Sequence, residues 1–307
     1  MRVLVTGGAG FIGSHVVDAL LDAGEEVAVV DHLRRSPRPW VGEALRRGVG
    51  LHVADVRDLG AVRQAFEAAR PEVVLHLAAQ VDVRRSVADP AFDAQVNVAG
   101  TVSVLEAARA AGARRVVLAS TAAVYGDPDR VPTAEDAPVA PLSPYGTSKA
   151  AAEWYLAQYS RLHGVSTLAL RMANVYGPRQ DPRGEAGVVA IFCGAAVAGR
   201  RATIFGDGRQ TRDYVFVDDV VRAWLVAAAS EVTGALNLAT GTETTLRDLA
   251  AALELDADHA PGRPGEVRRS CLRPTAAAEA LGWRATTPLR EGLRRTREAL
   301  AARAAIR

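Results

Sequence analysis

The stretch VTGGAGFIGSH, residues 5–15, decides the fold of this chain. It follows the strand-like run RVLVTG, leads into a helical run, and places Gly8, Gly10 and Gly13 in GxGxxG spacing. Gly7 offers a second interpretation of the same turn as GxxGxxG. Glycines allow a tight turn and close approach of the backbone to a ligand, and the following helix presents its positive end to phosphates. The stretch therefore predicts a βαβ unit that binds a dinucleotide.

The rest of the chain continues this alternation of strands and helices. Short β-rich runs such as EVAVVD, EVVLHLAA and RRVVLAST alternate with helical runs, and several of these strands are continuously apolar. Such strands are typical of a parallel sheet buried on both faces. We therefore expect an α/β fold with a doubly wound parallel Rossmann sheet over residues 1–174. Glycine and proline punctuate residues 175–307 more often, which indicates a smaller α/β substrate-binding lobe, with one or more segments such as GALNLAT returning to the sheet.

The composition is that of an ordinary globular enzyme. The chain has 307 residues, of which 49% are hydrophobic and 23% charged, and its net charge is only +2. We therefore expect no nucleic-acid partner and, because apolar runs stop short of about 18 residues, no membrane partner. The two cysteines, Cys193 and Cys271, have no metal-ligand spacing and are not expected to form a disulfide. No metal site is predicted, and a reducing cytoplasm is the expected compartment.

Asp31 is the residue expected to choose the dinucleotide. It ends the second predicted strand, 31 − 13 = 18 residues after Gly13. A carboxylate at this place accepts a hydrogen bond from an adenosine ribose 2′-hydroxyl and repels a 2′-phosphate, which favours NAD over NADP. Arg34 and Arg35 lie nearby and leave the choice open.

Two further strand ends are expected to touch the cofactor. Asp55, with Val56 beside it, is predicted to contact the adenine, although Asp55 is also a candidate cap for the next helix. The run HLAAQ ends the fourth strand, and its alanines would let a cofactor lie close to the backbone; His76 there is expected to be structural. The cofactor-binding residues predicted at this stage are Gly7, Gly10, Phe11, Ile12, Gly13, Asp31, Asp55, Val56, Leu77, Ala78, Ala79 and Gln80.

Lys149 is the only lysine among the 37 basic residues of the chain, and it follows Tyr145 by four positions. Side chains spaced i, i+4 on a helix face the same way. A free tyrosine titrates near pKa ~10, and a nearby cation favours the phenolate. Lysine offers a compact charge and rotatable donors, whereas the planar guanidinium of arginine is bulkier. The pair therefore predicts a tyrosine base with a lowered pKa, assisted by Lys149.

Seven motifs occur in order along nearly the whole chain: TGGAGFIGSH, HLAAQ, VNVAGT, STAAVYG, SPYGTSK, RMANVYGP and TRDYVFVDD. In these motifs the chain resembles the extended short-chain dehydrogenase/reductase superfamily. More narrowly, it is similar to the nucleotide-sugar epimerases of the UDP-glucose 4-epimerase type. The resemblance implies NAD as cofactor, a UDP-sugar as substrate, and epimerisation of a UDP-hexose at C4 through a 4-keto intermediate.

The resemblance also implies a catalytic triad of Thr121, Tyr145 and Lys149. Thr121 would bind the sugar O4 and pass its proton to Tyr145, with Ser120 as the alternative hydroxyl. Similar 4,6-dehydratases carry Asp-Glu after this threonine, and decarboxylating relatives carry a glutamate at the second position. The two residues here are alanines, 122 and 123, which move no protons. The triad is therefore suited to oxidation and reduction at C4.

Further residues gain a role only through the resemblance. Arg212 and Arg263 match positions that clamp the UDP pyrophosphate, and arginine suits bidentate phosphate contact. Asn174 matches a contact to sugar or phosphate, Phe205 is expected along the uracil, and Ser270 occupies a gatekeeper position beside the sugar. Asn97, Tyr145 and Lys149 complete the implied cofactor site, Asn97 as a brace for the active-site strand. The chain departs from many relatives in having RPGE and, ten residues after Arg263, Arg273.

Alternatives to this function remain at the level of the sequence. A UDP-glucuronate 4-epimerase is expected to carry a threonine in place of Asn174, and a deoxysugar reductase would release NADP and need fresh reductant. A non-catalytic NAD-binding regulator would usually lack the tyrosine or the lysine. The resemblance also implies a homodimer through the helices at residues 90–111 and 148–163.

Overall fold

The computed structural model describes residues 1–34, 38–182, 187–262 and 267–305. Its centre is a seven-stranded sheet in which every pair of neighbouring strands is parallel. The strands lie in the order β11-β6-β5-β4-β1-β2-β3. Their bounds are β1 Arg2–Thr6, β2 Glu26–Asp31, β3 Gly50–Val53, β4 Val73–His76, β5 Arg115–Thr121, β6 Ser166–Met172 and β11 Gly234–Leu238. The order reverses between β1 and β4, which is where an open α/β sheet places its ligand crevice.

Helices cover both faces of this sheet. One apolar cluster contains side chains of β1 with those of α1 and α9, and the other joins β4 and β5 to α3, α6 and α7. The doubly wound α/β fold predicted from the alternation is thereby confirmed. The helices are α1 Phe11–Asp22, α2 Arg38–Arg46, α3 Leu59–Ala69, α4 Val83–Ala88, α5 Pro90–Ala94, α6 Gly100–Ala110, α7 Pro144–His163, α8 Val188–Val197, α9 Val217–Ala229, α10 Leu246–Ala252, α11 Thr275–Leu281 and α12 Leu289–Ala305.

The second half of the chain forms three small sheets beside the large one. β7 (Asn174–Tyr176) pairs with β10 (Tyr214–Phe216), and β8 (Ala202–Phe205) pairs with β13 (Ala257–Ala260). A third sheet has the order β12-β9-β14, with β9 at Thr211–Arg212, β12 at Thr244–Thr245 and β14 at Arg269–Ser270. The run GALNLAT supplies β11 at the edge of the large sheet.

Helix α7 carries Tyr145 and Lys149, and its start is closely defined. The Ser143 hydroxyl accepts a hydrogen bond from the Gly146 amide at 3.1 Å, and Pro144 occupies the first helical position. Both features are typical of helix N-termini. At the other end Gly164 adopts the left-handed conformation, with φ 69°. Of the helices in the described ranges, none is long and apolar enough to cross a membrane.

Candidate active site

The glycine turn after β1 lies directly against the end of β4. A Cβ on Gly7 would come 2.6 Å from the Ala78 amide nitrogen, and a Cβ on Gly13 would come 2.1 Å from the Gly7 carbonyl oxygen. Gly7 also has φ +69°, so a larger residue would be strained there as well as crowded. Gly10 is the N-cap of α1 and provides no side-chain cap. The turn thus leaves the positive end of α1 open to an anion.

Asp31 lies at the carboxyl end of β2, with 8% of its surface exposed. Its carboxylate accepts hydrogen bonds from the Ala9 amide at 3.1 Å and the Leu33 amide at 2.8 Å. The side chain therefore braces the glycine turn from the second strand. Phe11 and Ile12, the first residues of α1, pack partly buried against the core on the same side.

Asp55 does not cap the following helix. The N-cap of α3 is Asp58, whose carboxylate accepts from the Ala61 amide at 3.0 Å. Asp55 pairs instead with Arg57, whose Nη2 lies 2.7 Å away and whose guanidinium holds the pKa of the carboxyl below its usual value. The cap alternative was wrong because the loop runs three residues further before the helix starts. Val56 is buried against Gly100.

The end of β4 is held by Asn97 from the π-helical turn Gln95–Ala99. The Asn97 amide group accepts from the Gln80 amide and donates to the Gln80 carbonyl, both at 2.9 Å. The Gln80 side chain points into the protein, where it hydrogen-bonds the backbone of Asp82. Leu77, Ala78 and Ala79 lie partly buried between these anchors and the glycine turn.

His76 is fully satisfied inside the sheet. Its Nδ1 lies 2.6 Å from the Thr6 hydroxyl and its Nε2 lies 3.0 Å from the Thr101 hydroxyl. Burial, followed by the charge of Lys149, lowers the pKa of His76 to about 3. The ring is therefore neutral at physiological pH and structural, as expected.

Thr121, Tyr145 and Lys149 meet at the carboxyl end of β5. Thr121 is the last residue of the strand, and its hydroxyl also accepts from the Ala123 amide at 3.2 Å, which starts a short 3-10 turn. Lys149 is 3% exposed, and its Nζ donates to the Ala119 carbonyl at 3.0 Å. Alanines 122 and 123 are the first two residues of that turn.

The expected lowering of the Tyr145 pKa is wrong for this structure. Burial raises the pKa of Tyr145 to about 12, the hydrogen bond with Thr121 acts in the opposite direction, and the charge of Asp93 raises it further. Burial lowers the pKa of Lys149 to about 8, against the carboxylates of Asp93 and Glu153. For both groups the penalty for burying a charge is the largest contribution, and it sets the direction of the pKa shift.

A buried polar network behind β5 was missed in the sequence. Ser120 was the alternative to Thr121 as the catalytic hydroxyl. Its side chain donates a hydrogen bond to Glu153, on the opposite face of β5 from Thr121. Glu153 forms an ion pair with Arg171 at 2.7 Å, and both side chains are less than 10% exposed. Arg171 also donates to the Tyr125 hydroxyl at 2.8 Å. The i, i+4 spacing of Lys149 and Glu153 on α7 was the one local signal for it.

The predicted substrate residues come from different small sheets. Ser270 and Arg212 are direct partners in the parallel pairing of β14 with β9, so the residues predicted as gatekeeper and as one phosphate clamp are neighbours. Asn174 starts β7 and pairs with Tyr214, two residues after Arg212. Phe205 ends β8 opposite Ala260. Arg263 lies outside the described residues.

Within the described ranges, no group of three or more His, Cys, Asp or Glu side chains is arranged to hold a metal ion. The convergent polar groups are instead a threonine, a tyrosine and a lysine, beside a glycine turn that opens on a helix N-terminus. This arrangement suits a dinucleotide next to a proton-transferring tyrosine.

Comparison with known proteins agrees with this geometry. The chain matches the NAD dependent epimerase/dehydratase family over residues 3–239. The UDP-glucose 4-epimerase of Mycolicibacterium smegmatis is 48% identical, across 97% of this chain and 98% of that protein. A crystal structure of the UDP-glucose 4-epimerase of Thermotoga maritima with UDP-glucose has 43% identity and a TM-score of 0.93, with 100% of both chains covered.

The same fold also serves another reaction. A dTDP-glucose 4,6-dehydratase from Streptomyces venezuelae, solved with NAD bound, has a TM-score of 0.92 at 31% identity, covering 100% of this chain and 98% of that one. The backbone alone therefore does not select the reaction, and the residues around the triad must do so. By sequence and by structure, the chain belongs to the NAD dependent epimerase/dehydratase family.

Proposed function

We propose that this protein is an NAD-dependent isomerase that epimerises a UDP-hexose at C4, converting UDP-glucose and UDP-galactose into each other. The observation that carries the proposal is the triad of Thr121, Tyr145 and Lys149 with two alanines, 122 and 123, after the threonine. Neither methyl group exchanges a proton. The site thus supports reversible oxidation at C4 without the elimination or decarboxylation that acidic residues at these positions would assist.

The residues present fit NAD. The glycine turn packs so closely against Ala78 and against itself that a Cβ at Gly7 or Gly13 would collide with backbone atoms, and the N-terminus of α1 that follows it has no side-chain cap. Asp31 presents a carboxylate at the end of β2, where a 2′-phosphate would be repelled. Gly10, Phe11, Ile12, Asp55, Val56, Leu77, Ala79, Gln80 and Asn97 are the further residues that we assign to this binding site.

Bound NAD would accept a hydride from the substrate and later return it. Tyr145 is assigned as the group that takes the proton from the C4 hydroxyl through the Thr121 hydroxyl, which hydrogen-bonds it and acts to lower its pKa. Because burial alone raises that pKa to about 12, this role requires the positive charges of Lys149 and of bound NAD to favour the phenolate. Lys149, four residues after Tyr145 on α7, holds a positive charge in a buried position and donates to the Ala119 carbonyl. Because inversion at C4 requires the hydride to return to the opposite face of the oxidised carbon, the sugar has to rotate within the site before it is reduced and its oxygen regains the proton from Tyr145.

The substrate side of the site is assigned to Asn174, Phe205, Arg212, Arg263 and Ser270. The pairing of Arg212 with Ser270 supports this assignment, because it places a phosphate-binding cation beside the position that borders the sugar. Residues 1–174 then bind NAD, and residues 175–307 bind the UDP-sugar, with β11 joining the large sheet.

We place the enzyme in the cytoplasm, since Cys193 and Cys271 are both buried free thiols. We also propose a homodimer through the helices at residues 90–111 and 148–163, the second of which belongs to α7. The support is an apolar surface on α7, where the exposed fractions are 63% for Trp154, 42% for Tyr155 and 68% for Leu162. Apolar patches of this kind mark interfaces.

The deciding experiment supplies purified protein with a panel of UDP-sugars and reads product stereochemistry by NMR. UDP-glucose should give UDP-galactose without any added hydride donor, and denatured enzyme should release NAD. Tyr145→Phe is the matched control, because it removes one hydroxyl and should abolish turnover while NAD stays bound. Conversion of UDP-glucuronate alone, or a requirement for added NADPH, would contradict the proposal.

A further inference from the structure

Asp93 is a buried carboxylate that the proposed reaction does not use. It lies on α5 with no exposed surface. One oxygen accepts from Gln80 Nε2 at 2.9 Å and Asn97 Nδ2 at 3.1 Å, and the other accepts from the Ser148 hydroxyl at 2.6 Å. A buried carboxylate must be compensated by such donors, and here all three donors are neutral side chains.

These hydrogen bonds connect the two halves of the active site. Gln80 and Asn97 form the bracket at the end of β4, beside the glycine turn. Ser148 belongs to α7 and directly precedes Lys149. The single carboxylate of Asp93 thereby fixes the distance between the cofactor strand and the helix of the catalytic pair.

The charge of Asp93 also acts on that pair. The titratable groups that interact with Lys149 are Asp93 on α5, Glu153 on α7 and His76 on β4. His76 is neutral, and the charge of Glu153 is matched by Arg171 at 2.7 Å. Asp93 is the carboxylate here whose three hydrogen-bond donors carry no charge, and its negative charge raises the pKa of both Lys149 and Tyr145.

We infer that Asp93 is a positioning residue for the proposed reaction: it holds α7 against the end of β4 and supplies the negative charge that keeps buried Lys149 protonated. The inference rests on the proposed function only in assigning a catalytic purpose to Lys149. Its structural part concerns the ionisation of one lysine, which is measurable without any substrate.

The test uses the fact that Lys149 is the only lysine of the chain. Protein labelled with ε-¹³C-lysine gives one signal to follow by NMR from pH 6 to pH 10, and its midpoint should lie near the Lys149 pKa of about 8. Asp93→Asn keeps the shape and, because the Ser148 hydroxyl can turn to accept, keeps the hydrogen bonds. It removes the charge, and the midpoint should fall by roughly one pH unit.

Asp89→Asn is the matched control. Asp89 is an exposed residue that caps the same helix, and asparagine caps equally well, so the midpoint should stay where it is. An unchanged midpoint in Asp93→Asn, or an equal fall in Asp89→Asn, would overturn the inference. Should Asp93→Asn not fold, Asp93→Ser replaces it, since it also removes the negative charge and should lower the midpoint, and a constant midpoint in that variant would overturn the inference.

Activity provides the second readout. In Asp93→Asn both limbs of the pH profile of kcat/KM should move to lower pH, because the pKa values of Tyr145 and Lys149 both fall when the negative charge is removed. A purely structural role would lower activity without moving either limb, and that result would overturn the inference. A shifted NMR midpoint in a protein without epimerase activity would refute the proposed function and leave the Asp93–Lys149 coupling intact.

Discussion

At the scale of the residue, the first prediction concerns the ammonium group of Lys149. Lys149 is 3% exposed and its Nζ donates to the Ala119 carbonyl at 3.0 Å, so its compact charge is held at one buried point, whereas the charge of a guanidinium is spread over a larger planar group. Lys149→Arg should therefore keep the charge but displace it, and lower kcat about 10²-fold or more. Steady-state kinetics on UDP-glucose measure the loss, with circular dichroism to show that the variant is folded. Near-normal turnover would show that any cation suffices.

A second prediction at this scale concerns Ser270 and the range of sugars that the enzyme accepts. Ser270 pairs with Arg212 and is only partly buried. At the sugar-bordering position that we propose for it, its small side chain would leave space that a tyrosine would fill. We expect the protein to interconvert UDP-GlcNAc and UDP-GalNAc as well as the plain hexoses. A pocket that is too large loses only about 1–3 kcal/mol per missing contact, whereas one that is too small excludes the group.

Ser270→Tyr should then abolish turnover of the N-acetyl sugars and spare UDP-glucose. Ser270→Ala is its control and should retain both activities, because it adds no bulk. Absence of UDP-GlcNAc activity in the unmodified enzyme at millimolar concentration would show that other groups close the pocket.

At the scale of the element, β5 and α7 are joined to β6 by the buried pair of Glu153 and Arg171. The Glu153 carboxylate lies 2.7 Å from the Arg171 guanidinium. The Ser120 hydroxyl also donates a hydrogen bond to Glu153, and Arg171 also donates one to the Tyr125 hydroxyl. Removing one partner of a buried pair leaves an uncompensated charge, at a cost of about 3 kcal/mol or more. Glu153→Gln should therefore lower the free energy of unfolding by about that amount, measured by urea denaturation.

Glu291→Gln gives the matched control for that element. Its ion pair with Arg294 is an i, i+3 contact on the surface of α12, with side-chain exposures of 42% and 52%. Exposed pairs of this kind contribute little, so the urea midpoint should not move. Equal effects of the two substitutions would show that burial of the Glu153 pair is not what stabilises the contact of α7 with β6.

At the scale of the whole molecule, the exposed apolar face of α7 predicts assembly. Trp154→Glu places a charge at the centre of that face and should convert a dimer to a monomer in light scattering at micromolar concentration. Val226→Glu is the control, because Val226 is 41% exposed on α9, on the opposite side of the sheet. A monomeric unmodified protein, or a dimer that survives Trp154→Glu, would contradict the proposed interface.

The sequence by itself determined those features of the fold and site that depend on the spacing of residues within a single helix, strand or turn. The alternation of apolar strands with helices predicted the doubly wound sheet, and the glycine turn and the Tyr145–Lys149 pair follow from spacings within one turn and one helix. Such spacings predict geometry because a helix or a strand repeats at a known period. The N-cap of α3 is Asp58 rather than Asp55, and local sequence did not reveal this shift of three residues in the loop.

Only the tertiary structure decided what depends on contacts across the chain. Asp93 and Ser148 are 55 residues apart in sequence and 2.6 Å apart in space, and no local pattern links them. The raised pKa of Tyr145 likewise arises from burial, which the fold imposes after the helix and strand have formed. Local sequence carries the period of an element, but desolvation and the pairing of buried polar groups exist only once those elements pack against one another.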